Sequence, residues 1–194
     1  TVHRLADAGA RVVVGDLDGE HAASLADSVR EGGGQCIGMG FDIADEASVR
    51  ALVDAAVEEY GGIDAMHVNA ADLQVVNQDS DVLNEPLAVF DQTMRVSLRG
   101  HFLCTRAALP ELLRRGGGSI VYTSSVAAAV GEPVRPAYAM AKAGIEALMR
   151  HVASGWGKDR IRANAVAPGL VITPAMATGL PEEARKHALK VVRS

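Results

Sequence analysis

Short apolar runs alternate with amphipathic helical stretches from the start of the chain to Val166, and that rhythm restricts the fold more than any other feature. Val2, Leu5 and Ala6 recur at helical spacing and stop at Gly9, after which Arg11 to Gly15 reads as a buried strand ending in Asp16. A helix from Asp18 to Glu31, a strand through Cys36 to Phe41, a helix from Asp45 to Tyr60 and a strand from Ile63 to Asn69 follow. Beyond a polar loop come a helix from Pro86 to Arg115, a strand Ser119 to Ser124, a helix Pro136 to Trp156 and a strand Ile161 to Val166. Successive strands joined through helices pair in parallel, because the helix carries the chain back across the sheet. The expectation is an α/β fold, a doubly wound parallel sheet with helices on both faces. The glycine triplets Gly32 to Gly34 and Gly116 to Gly118 each follow a helix and precede a strand, which makes them left-handed helix caps, not phosphate loops.

A chain of 194 residues, 48% hydrophobic and 22% charged, suffices for one core, and residues 1–194 are expected to form a single domain. Nineteen basic against 24 acidic residues give a net charge of −5, and the basic residues are dispersed, so a nucleic acid partner is not expected. Apolar stretches such as Val126 to Val130 fall far short of the ~18 residues of a membrane span. Nor does a basic segment followed by an apolar signal core open the sequence, and a cytoplasmic protein is expected. Cys36 and Cys104 read as buried thiols, one in a strand and one in a helix, and the six histidines lack ligand spacing, so no metal site is expected.

Chemistry concentrates in Ser124-Ser125, in Tyr138-Ala-Met-Ala-Lys142, and in Pro168-Gly169 with Thr173. Residues four apart on a helix share a face, so Tyr138 and Lys142 project together, and an ammonium beside a phenol stabilises the oxyanion. Ser125 reads as the end of a strand, at the C-terminal sheet edge where ligands bind in open α/β folds, so its hydroxyl can hydrogen-bond a substrate oxygen beside Tyr138.

The run Gly118-Ser-Ile-Val-Tyr-Thr-Ser-Ser125, the Tyr138/Lys142 pair and Ile161-Arg-Ala-Asn-Ala-Val-Ala-Pro-Gly169 with Thr173 resemble the short-chain dehydrogenase/reductase pattern over almost the whole chain. The resemblance implies a Rossmann-type fold and a nicotinamide-dependent oxidoreductase. Ser125, Tyr138 and Lys142 would be the catalytic trio, with Lys142 also holding the nicotinamide ribose and Thr173 the carboxamide. Pro168 and Gly169 would belong to the cofactor site with it. Asp16 matches the acidic residue that takes the adenosine ribose hydroxyls, and its charge would repel a 2′-phosphate, favouring NAD(H) over NADP(H). Simple capping of the following helix is the other reading of Asp16. Asp42 resembles the residue that meets the adenine, and Asn69 the first Asn of the family's Asn-Asn-Ala-Gly stretch.

That stretch reads Asn69-Ala70-Ala71-Asp72 here, and Val96-Ser97-Leu98-Arg99-Gly100 carries Ser97 where the family often has an Asn that helps hold a water chain to the lysine. Ser97 is expected to do part of that work or to be an ordinary helix residue. No G-x-G-x-x-G occurs. A strand, a glycine loop and a half-helix are therefore expected to precede Thr1, and without that strand its two neighbours would expose unpaired backbone groups. At the other end, Pro181 to Arg193 reads as a helix over the substrate cleft, and Ser194 as short of the natural end.

Ile145, Met149, Val152 and Trp156 line one face of their helix, while Ala143, Ala147, Leu148 and His151 occupy others. The helix holding Phe102, Leu103, Leu109 and Leu112 is apolar on several sides too. In the family these helices build a dimer or tetramer interface, so a homodimer or homotetramer is expected. Val126 to Val130 with Leu170, Val171, Met176 and Leu180 suggest an apolar alcohol or ketone substrate, with Glu132 and Arg135 the charged neighbours. The leading expectation is an NAD(H)-dependent enzyme interconverting a secondary alcohol and a ketone. The alternative is a catalytically impaired relative that binds nucleotide or forms oligomers; epimerisation or dehydration would call for a longer chain.

Overall fold

The computed structural model describes residues 1–171. In chain order these form α1 (Val2–Asp7), β1 (Arg11–Asp16), α2 (Gly19–Glu31), β2 (Gln35–Gly40), α3 (Glu46–Tyr60) and β3 (Ala65–Val68). Then come α4 (Leu73–Val76), α5 (Leu87–Met94), a π-turn (Arg95–Arg99), α6 (Gly100–Arg114), β4 (Gly118–Thr123), α7 (Pro136–Trp156) and β5 (Ile161–Val166). Within the described residues the strands and helices expected between Val2 and Val166 appear, with ends moved by one or two residues. The stretch read as one helix from Pro86 to Arg115 runs from Leu87 to Arg114 but passes through the π-turn. The polar loop before it contains α4, a single turn that the periodicity did not announce.

Local chemistry explains the boundaries. Asp18 caps α2 by accepting the His21 N–H at 3.0 Å, and Asp45 caps α3 through the N–H groups of Ala47 and Ser48. The glycine triplets terminate helices as expected, with Gly33 and Gly116 both at φ 84. Helix α2 buries Ala22, Ala26 and Val29, and α3 buries Val49, Val53 and Ala56, each set spaced by four and then three residues along one face.

All strand pairs are parallel, as the βαβ alternation requires, but they form two groups, β1-β2 and β3-β4-β5. Among the described residues no ladder joins β1 to β3, so the edge of each away from its partner makes no strand pairing. Two glycines locate the helix layers. A Cβ on Gly38 would meet the Ala22 carbonyl oxygen of α2 at 2.0 Å, whereas one on Gly15 would meet Phe41 and, in α3, Leu52. Val14 pairs with Gly38, so Gly15 points to the opposite face and α2 and α3 lie on opposite sides of β1-β2. The main core lies between the second group of strands and its helices, with Leu112, Ile120, Tyr122 and Ile145 fully buried.

Helix α2 crosses β2 so closely that Gly38 has no room for a side chain, because the atom in the way is backbone. Gly38→Ala is expected to destabilise the fold by about 3 kcal/mol, the upper end of ordinary overpacking, read as a lowered urea midpoint at unchanged slope. A midpoint equal to wild type would mean that α2 shifts freely on the strand.

Candidate active site

Lys142 and Tyr138 face the C-terminal end of β4 from the first two turns of α7. Lys142 is 1% exposed, and its ammonium donates to the carbonyl oxygen of Thr123, the last residue of β4, at 2.7 Å. The same Nζ lies 5.6 Å from the centre of the half-buried Tyr138 ring. The four-residue spacing thus places the cation beside the phenol, as expected. Burial is the cause that lowers the Lys142 pKa from 10.5 to about 8.

Ser125 lies beyond the strand it was expected to end, because β4 stops at Thr123. Its hydroxyl caps a 3-10 turn at Val126–Ala128, accepting the Ala127 N–H at 3.2 Å, while the Val126 N–H donates to the Pro168 carbonyl oxygen at 3.1 Å. The turn therefore ties the Ser125 loop to the segment leaving β5, which carries Pro168 and Gly169. Buried Ser124 has a different task. Its hydroxyl donates to Glu146 at 2.8 Å and braces the strand end against α7.

Asn69 follows β3, and its Oδ1 accepts the Thr123 hydroxyl at 2.8 Å; His67 Nε2 stands 3.0 Å from that same oxygen. Thr123 is therefore the junction of the site: its side chain links β3 to β4, and its carbonyl holds Lys142. Sequence reading passed over both His67 and Thr123. The available signal was period-two alternation, which puts His67 on the same face as Asn69.

Asp16 stands exposed at the end of β1. Its Oδ1 accepts the Asp18 N–H at 3.0 Å, and among the described residues Oδ2 makes no hydrogen bond. The helix cap is Asp18, so the capping reading of Asp16 does not hold. Asp42 follows β2, accepting the Ala44 N–H at 2.8 Å. Asp16, Asp42, Asn69 and Ser125 thus all lie at or just past the C-terminal ends of parallel strands, where a dinucleotide is received in such folds. Their placement fits one. Asp72, the acidic departure from the family pattern, caps α4 through the Val75 N–H and accepts a hydrogen bond from Gln92 at 3.3 Å. Thr173 and the expected Pro181–Arg193 helix lie outside the described residues.

Ser97 sits in the π-turn, a feature that recurs at functional sites. With Thr93 and His101 it forms a seam of residues four apart, all at most 1% exposed. Among the described residues the Thr93 and Ser97 hydroxyls and both His101 nitrogens make no hydrogen bond. Burial, and after it the Lys142 charge, lower the His101 pKa from 6.5 to about 3 against the opposing carbonyls of Val96 and Val68. The unfolded chain therefore binds a proton between pH 6.5 and 3 that the folded one refuses, and the His101 contribution to stability falls with pH across that window. Its slope approaches about 1.4 kcal/mol per pH unit at most. His101→Gln is expected to flatten the loss of stability between pH 7 and 5 in urea titrations; an unchanged slope would place the neutral imidazole outside the acid response.

The family model described as enoyl-(acyl carrier protein) reductase matches residues 1–192. A probable short-chain type dehydrogenase/reductase of Bradyrhizobium diazoefficiens is 38% identical over 94% of this chain and 65% of its own length. The cis-4-hydroxycyclohexanecarboxylate dehydrogenase of Sinomonas cyclohexanicum is 36% identical over 95% of this chain and 72% of its own. The (-)-isopiperitenol/(-)-carveol dehydrogenase, mitochondrial, of Mentha piperita is 37% identical over 92% of this chain and 66% of its own. The chain belongs to the short-chain dehydrogenase/reductase family. It spans about two thirds of the length of these relatives.

Proposed function

We propose that the protein is an NAD(H)-dependent oxidoreductase that interconverts a secondary alcohol and a ketone, with Tyr138 as acid/base. The observation that carries this reading is the buried Lys142 ammonium, held by the Thr123 carbonyl and set beside the Tyr138 ring. A cation in so dry a place has a large effect on charge that develops next to it. In alcohol oxidation the Tyr138 hydroxyl oxygen takes the substrate proton, Lys142 stabilises the phenolate form that does so, and the Ser125 hydroxyl orients the substrate oxygen. Hydride acceptance is the chemistry that a nicotinamide supplies when bound. Lys142 also holds the nicotinamide ribose, Asp16 the adenosine ribose hydroxyls and Asp42 the adenine. Asn69, Pro168, Gly169 and Thr173 complete that binding surface, and Ser97 passes protons toward solvent.

Asp16 Oδ2, which makes no hydrogen bond among the described residues, supports a preference for NAD(H), since a carboxylate accepts from ribose hydroxyls and repels a 2′-phosphate. Relatives named for cis-4-hydroxycyclohexanecarboxylate, (-)-isopiperitenol and (-)-carveol indicate the substrates to try. The test is a panel of these and simpler secondary alcohols with NAD or NADP, followed by formation of the reduced nicotinamide. Turnover with NAD and a weaker response with NADP is expected. Absence of hydride transfer across the panel would favour the catalytically impaired relative.

The oligomer reading rests on a groove lined by Met94, Leu98, Phe102 and Leu148 between the α5–α6 helix and α7. Phe102 is 50% exposed, and Ala143, Ala147 and His151 leave a further face of α7 open. We assign this surface to a homodimer or homotetramer contact in a cytoplasmic protein; a monomeric mass by light scattering would refute the assembly. No helix of the described residues is long and apolar enough to cross a membrane.

A further inference from the structure

Helix α7, which carries Tyr138 and Lys142, has no side-chain cap from its own flank. Helices α2, α3 and α4 are each capped by the aspartate immediately before them. At the corresponding position α7 has Arg135, in the left-handed conformation at φ 64, followed by Pro136. Its cap comes from 59 residues earlier in the chain: Asp79 Oδ2 accepts the backbone N–H of Tyr138 at 2.8 Å. Asp79 is 7% exposed, and its other oxygen, Oδ1, makes no hydrogen bond among the described residues.

One further bond ties the same segments together, and a second closes the stretch from Ser80 to Glu85 on itself. The Arg135 N–H donates to the Ser80 carbonyl oxygen at 2.8 Å, and the Ser80 N–H donates to the Glu85 carboxylate at 2.5 Å. The Arg135 guanidinium then folds over the Tyr138 ring, 5.9 Å from its centre, while pairing with Glu132. Burying a carboxylate costs free energy that a solvent-exposed cap avoids, and a left-handed Arg adds backbone strain. An ordinary helix start needs neither. Both are accounted for if the first turn of α7 must be held at one angle and depth, with the favourable field of the helix N-terminus offsetting part of the cost.

We propose that Asp79 is a positioning residue for Tyr138: by bonding the backbone N–H of that tyrosine it fixes the first turn of α7 and so the reach of the phenol, and it couples the segment from Asp79 to Glu85 to the reacting end of the site. The proposal rests on the acid/base reading of Tyr138. Displacing a reacting group by about 1 Å can cost about 10²-fold in rate, so Asp79→Ala is expected to lower kcat about 10²-fold with KM nearly unchanged. Asp79→Asn, whose amide oxygen can accept the same bond, is expected to recover most of the turnover. Asp45→Ala removes the cap of α3 and should cost similar stability at wild-type kcat.

In the wild-type protein, hydrogen exchange followed by NMR should show the Tyr138 amide protected, although first-turn amides have no partner within the helix. That measurement stands even if Asp79→Ala fails to fold. Wild-type kcat in Asp79→Ala, an Asn variant no better than Ala, or free exchange at the Tyr138 amide would each overturn the proposal and leave the acid/base reading intact. Turnover surviving in Tyr138→Phe would instead overturn that reading, and the positioning role with it.

Discussion

Tyr138→Phe is expected to lower kcat for secondary-alcohol oxidation by about 10³-fold while leaving the fold unchanged. The size follows from the loss of general acid/base transfer, which contributes about 10² to 10⁴-fold when the group is well placed. The specificity of the effect follows from the structure. Among the described residues the Tyr138 hydroxyl makes no hydrogen bond that holds the fold together, and its ring contacts with Arg135 and Lys142 survive in phenylalanine. Stability should therefore stay within about 0.5 kcal/mol of wild type. Thermal unfolding and steady-state kinetics on the same preparation separate the two quantities. Turnover within a few-fold of wild type would remove Tyr138 from the proton-transfer step and leave the Lys142 charge without a chemical role.

Lys142→Met carries the second large expectation, a kcat loss of at least about 10²-fold together with a changed response to alkali. Burial lowers the lysine pKa from 10.5 to about 8, so between those values the unfolded chain holds a proton that the folded chain has released. The unfolded state then binds more protons, and wild-type stability rises with pH through that window. The depressed pKa corresponds to about 3 kcal/mol across the full interval. Methionine has comparable length and no charge, so the rise should vanish in the variant, as seen in denaturant titrations from pH 7.5 to 10. A variant that keeps the wild-type rise would assign it to other groups. A variant that keeps turnover would show that the ammonium does not act on the phenol.

The two variants together ask whether charge and proton belong to one device. If Tyr138 moves the proton and Lys142 stabilises the charge so created, the double variant should be little worse than the poorer single one, as for residues that act as a unit.

Much of this arrangement is legible in the residues. The strand and helix alternation reads correctly from Arg11 to Val166, because burial of one helix face or of a whole strand imprints its period on the sequence. The glycine caps at Gly33 and Gly116 are legible because each is satisfied by atoms within a turn, whereas Asp18 and Asp45, read as helix residues, are the caps of α2 and α3. The shared face of Tyr138 and Lys142 is a property of helix geometry alone. The π-turn at Arg95–Arg99 was not legible, since an extra residue in one turn leaves no compositional mark. Ser125 was placed on the wrong element because the run Ser119 to Ser124 does not mark where pairing with β5 stops.

What the sequence determined by itself, then, was set by near neighbours: the order and type of the elements, their direction in the sheet, and the pairing of a tyrosine with a lysine on one helix. Only the tertiary structure decided that the Thr123 carbonyl would hold that lysine, that His67 and Asn69 would meet on the Thr123 hydroxyl, that His101 would be sealed beside Lys142, and that Asp79 would cap α7 at Tyr138. The physical reason is distance along the chain. The bonds of His67 and Asn69 to Thr123 and of Asp79 to Tyr138 span more than 50 residues, and no rule of local spacing tells that their ends meet.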